Sequence, residues 1–323
     1  MMKNFCLIIC FIFIVQALGS FKNDSPKKPF QKIGLKTIIV DAGHGGNAPG
    51  TRGEYSYEKD ICLDIALKLG KKLEDGFPDV KVLYTRTTDA NTPNPWRAEF
   101  ANKNKGDLFI SIHANAMLPI KHTKFLGYKT ETYYTGKGKR RKKRSHRVPK
   151  YSVYYTPNPR LGTETYIWAA DRTDEKEEFV AEQVSDSSEF IPDINDPEFK
   201  ARALLWTKKH FDKSLLLASM VEEEFTSAGR QSLGVKQRNW KGIWVLQATG
   251  MPSILVETGF LTNRQEEDYL NSDKGQDEIS TNIFSAVKRY KTTIEAKQNQ
   301  GTSHNPDASG GSLRASTGLA KKK

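Results

Sequence analysis

Three short apolar runs, each followed by a side chain that can bind a metal or transfer a proton, constrain the fold of this chain most strongly. They lead to His44, to His113 and to Glu257. Apolar runs of this length are typical of buried strands. In open α/β sheets, ligands bind at the carboxyl ends of the strands. The glycines around His44 permit backbone geometries that other residues avoid, so we expect a loop that holds this histidine at the sheet edge.

Helical patterns alternate with the strands. Apolar residues at four-residue spacing, from Ile61 to Leu73, predict an amphipathic helix whose first turn contains Glu58. The alternation predicts an α/β fold, with a twisted, mixed or mostly parallel sheet layered by helices. We expect a single domain over residues 34–296. Further predicted elements are a long helix over 199–227, strands over 243–246 and 253–257, and a terminal helix from about residue 277 to about residue 296.

The two ends of the chain have compositions of their own. Residues 1–20 combine a positive start, a short apolar core and small residues, a pattern typical of a secretory signal peptide. The apolar core is too short to span a membrane, and too few apolar residues precede Cys10 for a lipoprotein cleavage site. We therefore expect an exported protein, periplasmic or associated with the cell wall, with a polar linker over 21–33 and a disordered tail over 297–323.

The chemistry of the strand ends suits a catalytic metal. His44, Glu58 and His113 offer two imidazoles and a carboxylate, and catalytic zinc sites keep three protein ligands with a water in the open position. Glu257 would then be free to act as a base. It would take a proton from a water that attacks a carbonyl and pass the proton to the leaving nitrogen.

Structural roles account for the same residues equally well. A single histidine at a strand end is commonly a hydrogen-bonding group of the fold, and Glu58 at a helix start is favoured by the helix dipole. Glu257 could be a buried carboxylate paired with an arginine. Neither an HExxH motif nor a pair of cysteines is present. The residues alone leave both interpretations open.

A resemblance to a known family favours the metal site. It covers most of residues 36–292 and rests on blocks at 40–46, Glu58, 85–89, 107–116, 162–166, 234–237 and 252–263. These blocks resemble the zinc-dependent N-acetylmuramoyl-L-alanine amidases, bacterial enzymes that split peptidoglycan between the lactyl group of muramic acid and L-alanine. The resemblance implies one Zn²⁺ ion bound by His44, Glu58 and His113, and Glu257 as the catalytic carboxylate. Arg86 and Asn115 lie beside these motifs, so we expect them to line the cleft.

Two segments depart from the usual family pattern. Residues 117–161 form a longer connection than is typical, which we interpret as an elaborated loop that could contain a hairpin. Residues 171–199 are strongly acidic and lie where some family members carry a helical insertion that covers the zinc until a partner displaces it. The resemblance therefore implies an autoinhibitory role for this segment. Glu178 and Glu182 are the candidate carboxylates for the open zinc position, and an activator protein is the implied partner.

The formal charge of +12 is concentrated in one segment. Residues 137–150 hold nine basic residues and no acid. This run is either a solvated loop or a patch that attracts an anionic polymer, such as wall peptides with their carboxylates or the acidic segment of the same chain. We do not expect nucleic acid as a partner, because the signal peptide directs the chain out of the cytoplasm and no recognition motif accompanies the run.

Three functions remain compatible with these observations. The first is zinc-dependent hydrolysis of the muramoyl–alanine amide of peptidoglycan, in cell-wall remodelling, daughter-cell separation or turnover. The second is a peptidase of the same zinc chemistry that cuts within the stem peptide. The third is a peptidoglycan-binding protein that has lost catalysis, which the retention of Glu257 and the ligand residues argues against.

Overall fold

The computed structural model describes residues 34–185 and 196–303. The predicted signal peptide, the predicted linker and residues 304–323 lie outside these ranges, so the predictions made for them stay predictions. Within the described ranges, no helix is both long enough and apolar enough to cross a membrane.

The centre of the domain is a six-stranded sheet, and a separate two-stranded ribbon accompanies it. The strands are β1 (Thr37–Ala42), β2 (Lys81–Tyr84), β3 (Leu108–Asn115), β4 (Ile120–Thr135), β5 (Lys142–Thr156), β6 (Thr163–Ile167), β7 (Ser232–Gln237) and β8 (Ser253–Phe260). The sheet order is β2-β1-β3-β8-β6-β7. All neighbours are parallel except β6 and β8, which are antiparallel. The predicted mixed, mostly parallel sheet is confirmed.

Helices cover both faces of this sheet. They are α1 (Glu58–Gly76), α2 (Asn94–Lys103), α3 (Thr173–Ser185), α4 (Pro197–Ser227), α5 (Trp244–Gln247), α6 (Arg264–Asn271) and α7 (Asp273–Ser303). Alternate residues of β1, β3 and β8 point to opposite faces. Those on one face form the larger core with α1, α4 and α7. Those on the other face form a smaller core with α2 and α5. Because the central strands are buried on both sides, they are almost continuously apolar, which is why they were identifiable from the sequence.

Two predicted elements differ from the structure. Residues 243–246, predicted as a strand, lie mostly in the short helix α5. Gly242, with φ +59°, turns the chain immediately before this helix, and Val245 and Leu246 pack into the smaller core. A short buried apolar run has the same appearance in a strand and in a helix, so periodicity could not separate the two. The terminal helix α7 begins at Asp273 and continues to Ser303, so the predicted start of the tail at residue 297 is wrong.

The two insertions have defined structures where they are described. The segment predicted as an elaborated loop is a long antiparallel ribbon of β4 and β5, with a bulge in β4 between Phe125 and Tyr128. The acidic insertion begins with α3, and residues 186–195 lie outside the described ranges.

Helix α4 is tied to the sheet through a buried carboxylate, Glu222. Its oxygens accept hydrogen bonds from the hydroxyls of Thr163 at 3.0 Å, Thr165 at 2.6 Å and Ser232 at 2.6 Å. These hydroxyls belong to β6 and β7, so one side chain fixes the helix against two strands. The neighbouring Glu223 is exposed and contacts only Arg289 among the ion pairs of the described chain.

We predict that Glu222→Ala lowers the free energy of unfolding by about 2 to 3 kcal/mol, because the buried hydroxyls lose their acceptor. Glu223→Ala, one residue further along the same helix, should change it by less than ~0.5 kcal/mol because exposed ion pairs contribute little. Urea denaturation followed by circular dichroism measures both. Equal losses in the two variants would contradict the role assigned to Glu222.

Candidate metal centre

The loop after β1 holds His44 in an uncommon backbone conformation. His44 has φ +60°, and Gly45 and Gly46 that follow also have positive φ. The amide of Gly43 donates to the carbonyl of Ile112 at 3.0 Å, so the loop begins by continuing the pairing of β1 with β3. A Cβ on Gly43 would lie 2.5 Å from the ring of His113. The close approach of these two strand ends therefore requires glycine at this position.

Two buried arginines hold this loop from behind. Arg97 donates to the carbonyls of Ala42 and His44. Arg86 donates to the carbonyl of Ala42 at 2.9 Å and to that of Gly43 at 2.7 Å. Three consecutive carbonyls therefore point at two guanidinium groups. Since each charged donor stabilises a backbone acceptor away from water, the strained turn at His44 has a fixed position.

Asp41 neutralises this buried positive charge. It is 1% exposed and forms an ion pair with Arg97, and it accepts hydrogen bonds at 2.6 Å from the hydroxyls of Thr85 and Ser111. Burial alone would raise the pKa of Asp41, but Arg97 and the two hydroxyls outweigh it and lower the pKa from the ordinary value of 3.8. The carboxylate is therefore charged in the folded protein.

Glu58 reaches the end of β3 from the first turn of α1. Its Oε2 accepts a hydrogen bond from the amide of Thr51 at 2.8 Å, and its Oε1 accepts one from the amide of Ala114 at 3.1 Å. Burial favours the neutral acid, but hydrogen bonds with His113 and His44 outweigh it, so the pKa of Glu58 lies well below its ordinary range. The backbone donors orient the carboxylate and keep it ionised, which suits a metal ligand.

The three predicted ligands come together at the carboxyl edge of the sheet. Nδ1 of His113 lies 2.9 Å and Nε2 of His44 lies 3.1 Å from Oε1 of Glu58. One donor atom from each residue falls within 4.8 Å of the others, and in the described chain no other such group of histidine, cysteine or acidic side chains occurs. Two imidazoles and a carboxylate at this separation fit the ligand set of a catalytic zinc site.

Glu257 lies beside this cluster because of strand register. It is paired with His113 across β3 and β8, and with Glu164 across β8 and β6. Its Oε2 is buried and has no hydrogen-bond partner among the described residues. Burial, together with the negative charges of Glu58 and Glu164, raises the pKa of Glu257 well above the ordinary value. A buried carboxylate with a free oxygen next to a metal-binding cluster is suited to accept a proton from a water molecule.

Glu164 is a residue of the site that the sequence analysis did not single out. Its Oε1 accepts hydrogen bonds from Nδ2 of Asn115 at 2.5 Å and from the hydroxyl of Tyr166 at 2.9 Å. The second bond and burial raise the pKa of Tyr166 to about 12. Its presence in the 162–166 block was the available signal, but only the register with Glu257 places it at the site.

The remaining predicted site residues have different positions. Asn115 lies at the end of β3 and contacts Glu164, close to Glu257. Arg86 does not line the cleft, because it is 4% exposed and its guanidinium is occupied by backbone carbonyls. Glu178 and Glu182 do not belong to the metal-ligand cluster. Both lie on α3 beside a cavity between α3 and α4.

The topology explains why α3 lies away from the cluster. Strand β6 is antiparallel to β8, so the chain leaves β6 at the opposite edge of the sheet. There Lys176 of α3 is fully buried, and its ammonium donates to the carbonyls of Leu246 and Met251 and to the hydroxyl of Ser253. These contacts fix α3 at the start of β8. The described contacts therefore hold α3 away from the cluster, and the zinc-blocking role of Glu178 and Glu182, like the activator protein, stays a prediction.

The comparisons with known proteins agree with this geometry. The sequence profile of the N-acetylmuramoyl-L-alanine amidase family matches residues 38–289. The chain is 30% identical over 269 residues to a probable N-acetylmuramoyl-L-alanine amidase AmiB of Haemophilus influenzae, covering 81% of this chain and 54% of that protein. It is 28% identical over 256 residues to the amidase AmiC of Escherichia coli, covering 78% of this chain and 52% of that protein.

One solved structure resembles this chain over nearly the whole length of the solved chain. The N-acetylmuramoyl-L-alanine amidase from Clostridium difficile 630 shares 26% identity with this chain, with a TM-score of 0.51, covering 80% of this chain and 97% of that one. The mostly parallel sheet, with a histidine–glutamate–histidine cluster at the carboxyl ends of its central strands, defines an α/β protein with a candidate metal centre. The chain belongs to the N-acetylmuramoyl-L-alanine amidase family. It spans about half the length of the Haemophilus and Escherichia relatives.

We predict that Gly50→Ala weakens zinc binding by at least about tenfold, because groups that orient metal ligands affect affinity by this much. Gly50 has φ +70°, and a Cβ there would lie 2.6 Å from Oε2 of Glu58 and 2.7 Å from Cδ2 of His44. Gly127→Ala is the matched control, since Gly127 has φ +103° but open space around it. Titration against a chromophoric chelator measures both affinities. Unchanged affinity in Gly50→Ala would contradict the assigned ligand geometry.

We predict that Asp41→Asn lowers stability by about 3 kcal/mol at neutral pH, because Arg97 is left buried without a counter-charge. The folded-state pKa of Asp41 lies below 3.8. Its contribution is therefore complete above that pH and is lost as the pH falls through the lower folded-state value. Urea denaturation at several pH values should show the gap between wild type and variant narrowing below about pH 4. Asp75→Asn, which alters an exposed pair with Lys71, should show no such gap.

Proposed function

We propose that this protein is a zinc-dependent hydrolase that cleaves the amide between N-acetylmuramic acid and L-alanine in peptidoglycan. The observation that carries the proposal is the register of β3, β8 and β6, which sets Glu257 directly beside a ligand of the His44–Glu58–His113 cluster. Membership of the amidase family supports the choice of substrate.

In the proposed mechanism, the cluster binds the metal and Glu257 transfers the proton. His44, Glu58 and His113 would hold one Zn²⁺ ion, which when bound supplies a Lewis acid for the scissile carbonyl and for the attacking water. Glu257 would take the proton from the attacking water and return it to the departing nitrogen of L-alanine. Its raised pKa makes it a stronger base than an exposed glutamate, so it holds the proton until the nitrogen leaves.

Glu164 would act on the reaction through Glu257. Its negative charge beside Glu257 contributes to the high pKa of that residue. Asn115 and Tyr166 hold the Glu164 carboxylate in place by hydrogen bonds. Glu164 is therefore proposed as a positioning residue for the base.

The proposed substrate agrees with the predicted export of the chain. Peptidoglycan lies outside the cytoplasm, where the predicted signal peptide over residues 1–20 would deliver the protein. A periplasmic or wall-associated location is therefore part of the proposal.

We predict that Glu257→Gln retains zinc but loses turnover of purified sacculi by a factor on the order of 10³, because the general base is removed while the ligands remain. His44→Ala should lose both zinc and turnover. Glu223→Gln, an exposed change on α4, serves as the control. Zinc content is measured by atomic emission and turnover by the release of soluble stem peptides, with and without a chelator.

The products distinguish the proposed amidase from its alternatives. Mass spectrometry should find stem peptides that begin with a free L-alanine and glycan strands that keep the lactyl carboxylate. Products cut within the stem peptide would instead identify a peptidase of the same chemistry. Binding of sacculi without any zinc-dependent release would identify a non-catalytic binding protein and contradict the proposal.

A further inference from the structure

The ribbon of β4 and β5 rises from the immediate neighbourhood of the metal centre. It joins the end of β3, just after His113, to the start of β6, just before Glu164. Its base is attached to the chain that follows Glu257. The amide of Met117 donates to the hydroxyl of Thr262 at 2.9 Å, and Nδ2 of Asn263 donates to the carbonyls of Pro159 and Arg160 at 3.2 Å.

Beyond its base, neither face of the ribbon is covered by another helix or strand of the described chain. Its two strands pair with each other, and among the described elements neither makes an extensive contact with any other helix or strand. It therefore buries no core of its own, and its side chains are free to meet a ligand. A large surface that folding leaves uncovered usually marks an interaction site.

The ribbon carries almost the whole net charge of the protein. Residues 120–156 contain twelve lysines or arginines against one acid, Glu131, for a formal charge of +11 out of the +12 of the chain. The remaining residues are therefore nearly neutral. Two such ribbons would repel each other, so a second copy of this chain is a poor occupant. The charge favours an anionic partner.

Aromatic side chains are concentrated on one side of the ribbon. Residues directly opposite each other in an antiparallel pair share a face, and the face alternates along each strand. The bulge lies in β4, so the alternation of β5 is unbroken. The odd-numbered residues of β5 and their partners form what we call the aromatic face. Its aromatic members are Phe125, Tyr128, Tyr134, Tyr151 and Tyr155.

The aromatic face is exposed and interleaved with cations. Each of its five aromatic side chains is at least 50% exposed. The rings of Phe125 and Tyr151 lie 5.5 Å apart, and the guanidinium of Arg147 lies 4.8 Å from the ring centre of Tyr128. The opposite face carries two tyrosines, Tyr133 and Tyr154. At ~3.3 Å per residue, the aromatic face extends for about 40 Å.

We propose that the aromatic face is a binding surface for the peptidoglycan polymer, which it holds next to the metal centre. This inference rests on the proposed function. The sugar rings of the polymer present faces of C–H groups that pack on exposed aromatic rings, whose faces are electron-rich. The carboxylates of the stem peptides would pair with the interleaved cations such as Arg147. A long, linear surface rooted beside the cleavage site suits an extended polymer better than a small ligand.

The first test compares two matched double variants of the full chain. Tyr128→Ser with Tyr151→Ser removes two rings from the aromatic face, and Tyr133→Ser with Tyr154→Ser removes two from the opposite face. Sedimentation with purified sacculi, in the presence of a chelator to prevent hydrolysis, should show affinity reduced by about tenfold in the first variant, the size expected for lost stacking. The second should change little. Equal losses in both variants, or no loss in the first, would overturn the proposal.

The second test separates binding from chemistry. On a short soluble disaccharide–peptide, the Tyr128→Ser, Tyr151→Ser variant should keep the kcat and KM of the wild type, while its KM for sacculi rises. Wild-type binding to sacculi should also weaken as salt is raised, because exposed cations contribute to it. A wild type that binds sacculi through the aromatic face but cleaves neither substrate would refute the proposed function and leave the binding surface standing.

The same binding measurements also test two other kinds of anionic partner, a membrane and a nucleic acid. Vesicles of phosphatidylglycerol and a single-stranded oligonucleotide are offered in place of sacculi. If either binds more tightly than sacculi and loses affinity only in the Tyr128→Ser, Tyr151→Ser variant, the aromatic face serves a membrane or a nucleic acid and the peptidoglycan assignment is overturned. Weaker, face-independent binding to both supports peptidoglycan as the partner.

Discussion

The ion pair between Asp41 and Arg97 is the interaction on which the candidate metal centre depends. Arg97 donates to the carbonyl of His44, whose backbone is left-handed, and the ion pair with Asp41 holds that guanidinium in place. A left-handed histidine costs free energy, so it persists only where its surroundings fix it. The buried pair therefore fixes the position of the His44 loop more than it raises the free energy of unfolding. The cost of removing both charges from water offsets most of their attraction, as is usual for buried ion pairs.

Two carboxylates of the site, those of Glu58 and Glu257, have pKa values shifted in opposite directions. Glu58 accepts hydrogen bonds from two backbone amides and contacts two imidazoles, and its pKa is lowered. Glu257 lies two strands from β1 and has a raised pKa, and one of its oxygens has no hydrogen-bond partner in the part of the chain that the structure describes. One carboxylate is thus prepared to stay ionised as a ligand and the other to bind a proton. Burial, hydrogen bonding and neighbouring charges together separate the two roles.

The sequence predicted the structure well where burial on both faces of a strand requires a continuous run of apolar residues. The central strands are apolar on both faces, so their positions and the side chains at their ends, His113 and Glu257, could be predicted. Contacts between distant segments could not. Nothing local indicates that Arg86 turns inward to backbone carbonyls or that Glu164 pairs with Glu257. The position of α3 could not be predicted for the same reason, since it follows from the antiparallel direction of β6.

The attachment of the ribbon has an evolutionary consequence. Nδ2 of Asn158 donates to the carbonyl of Leu118 at 3.2 Å, so the two ends of the ribbon leave the domain side by side. A segment with adjoining ends and no share in the core can be lengthened, shortened or exchanged without rebuilding the sheet and its helices. Under the proposed function, substrate preference can therefore diverge by replacement of this single hairpin, while the proposed catalytic residues stay unchanged.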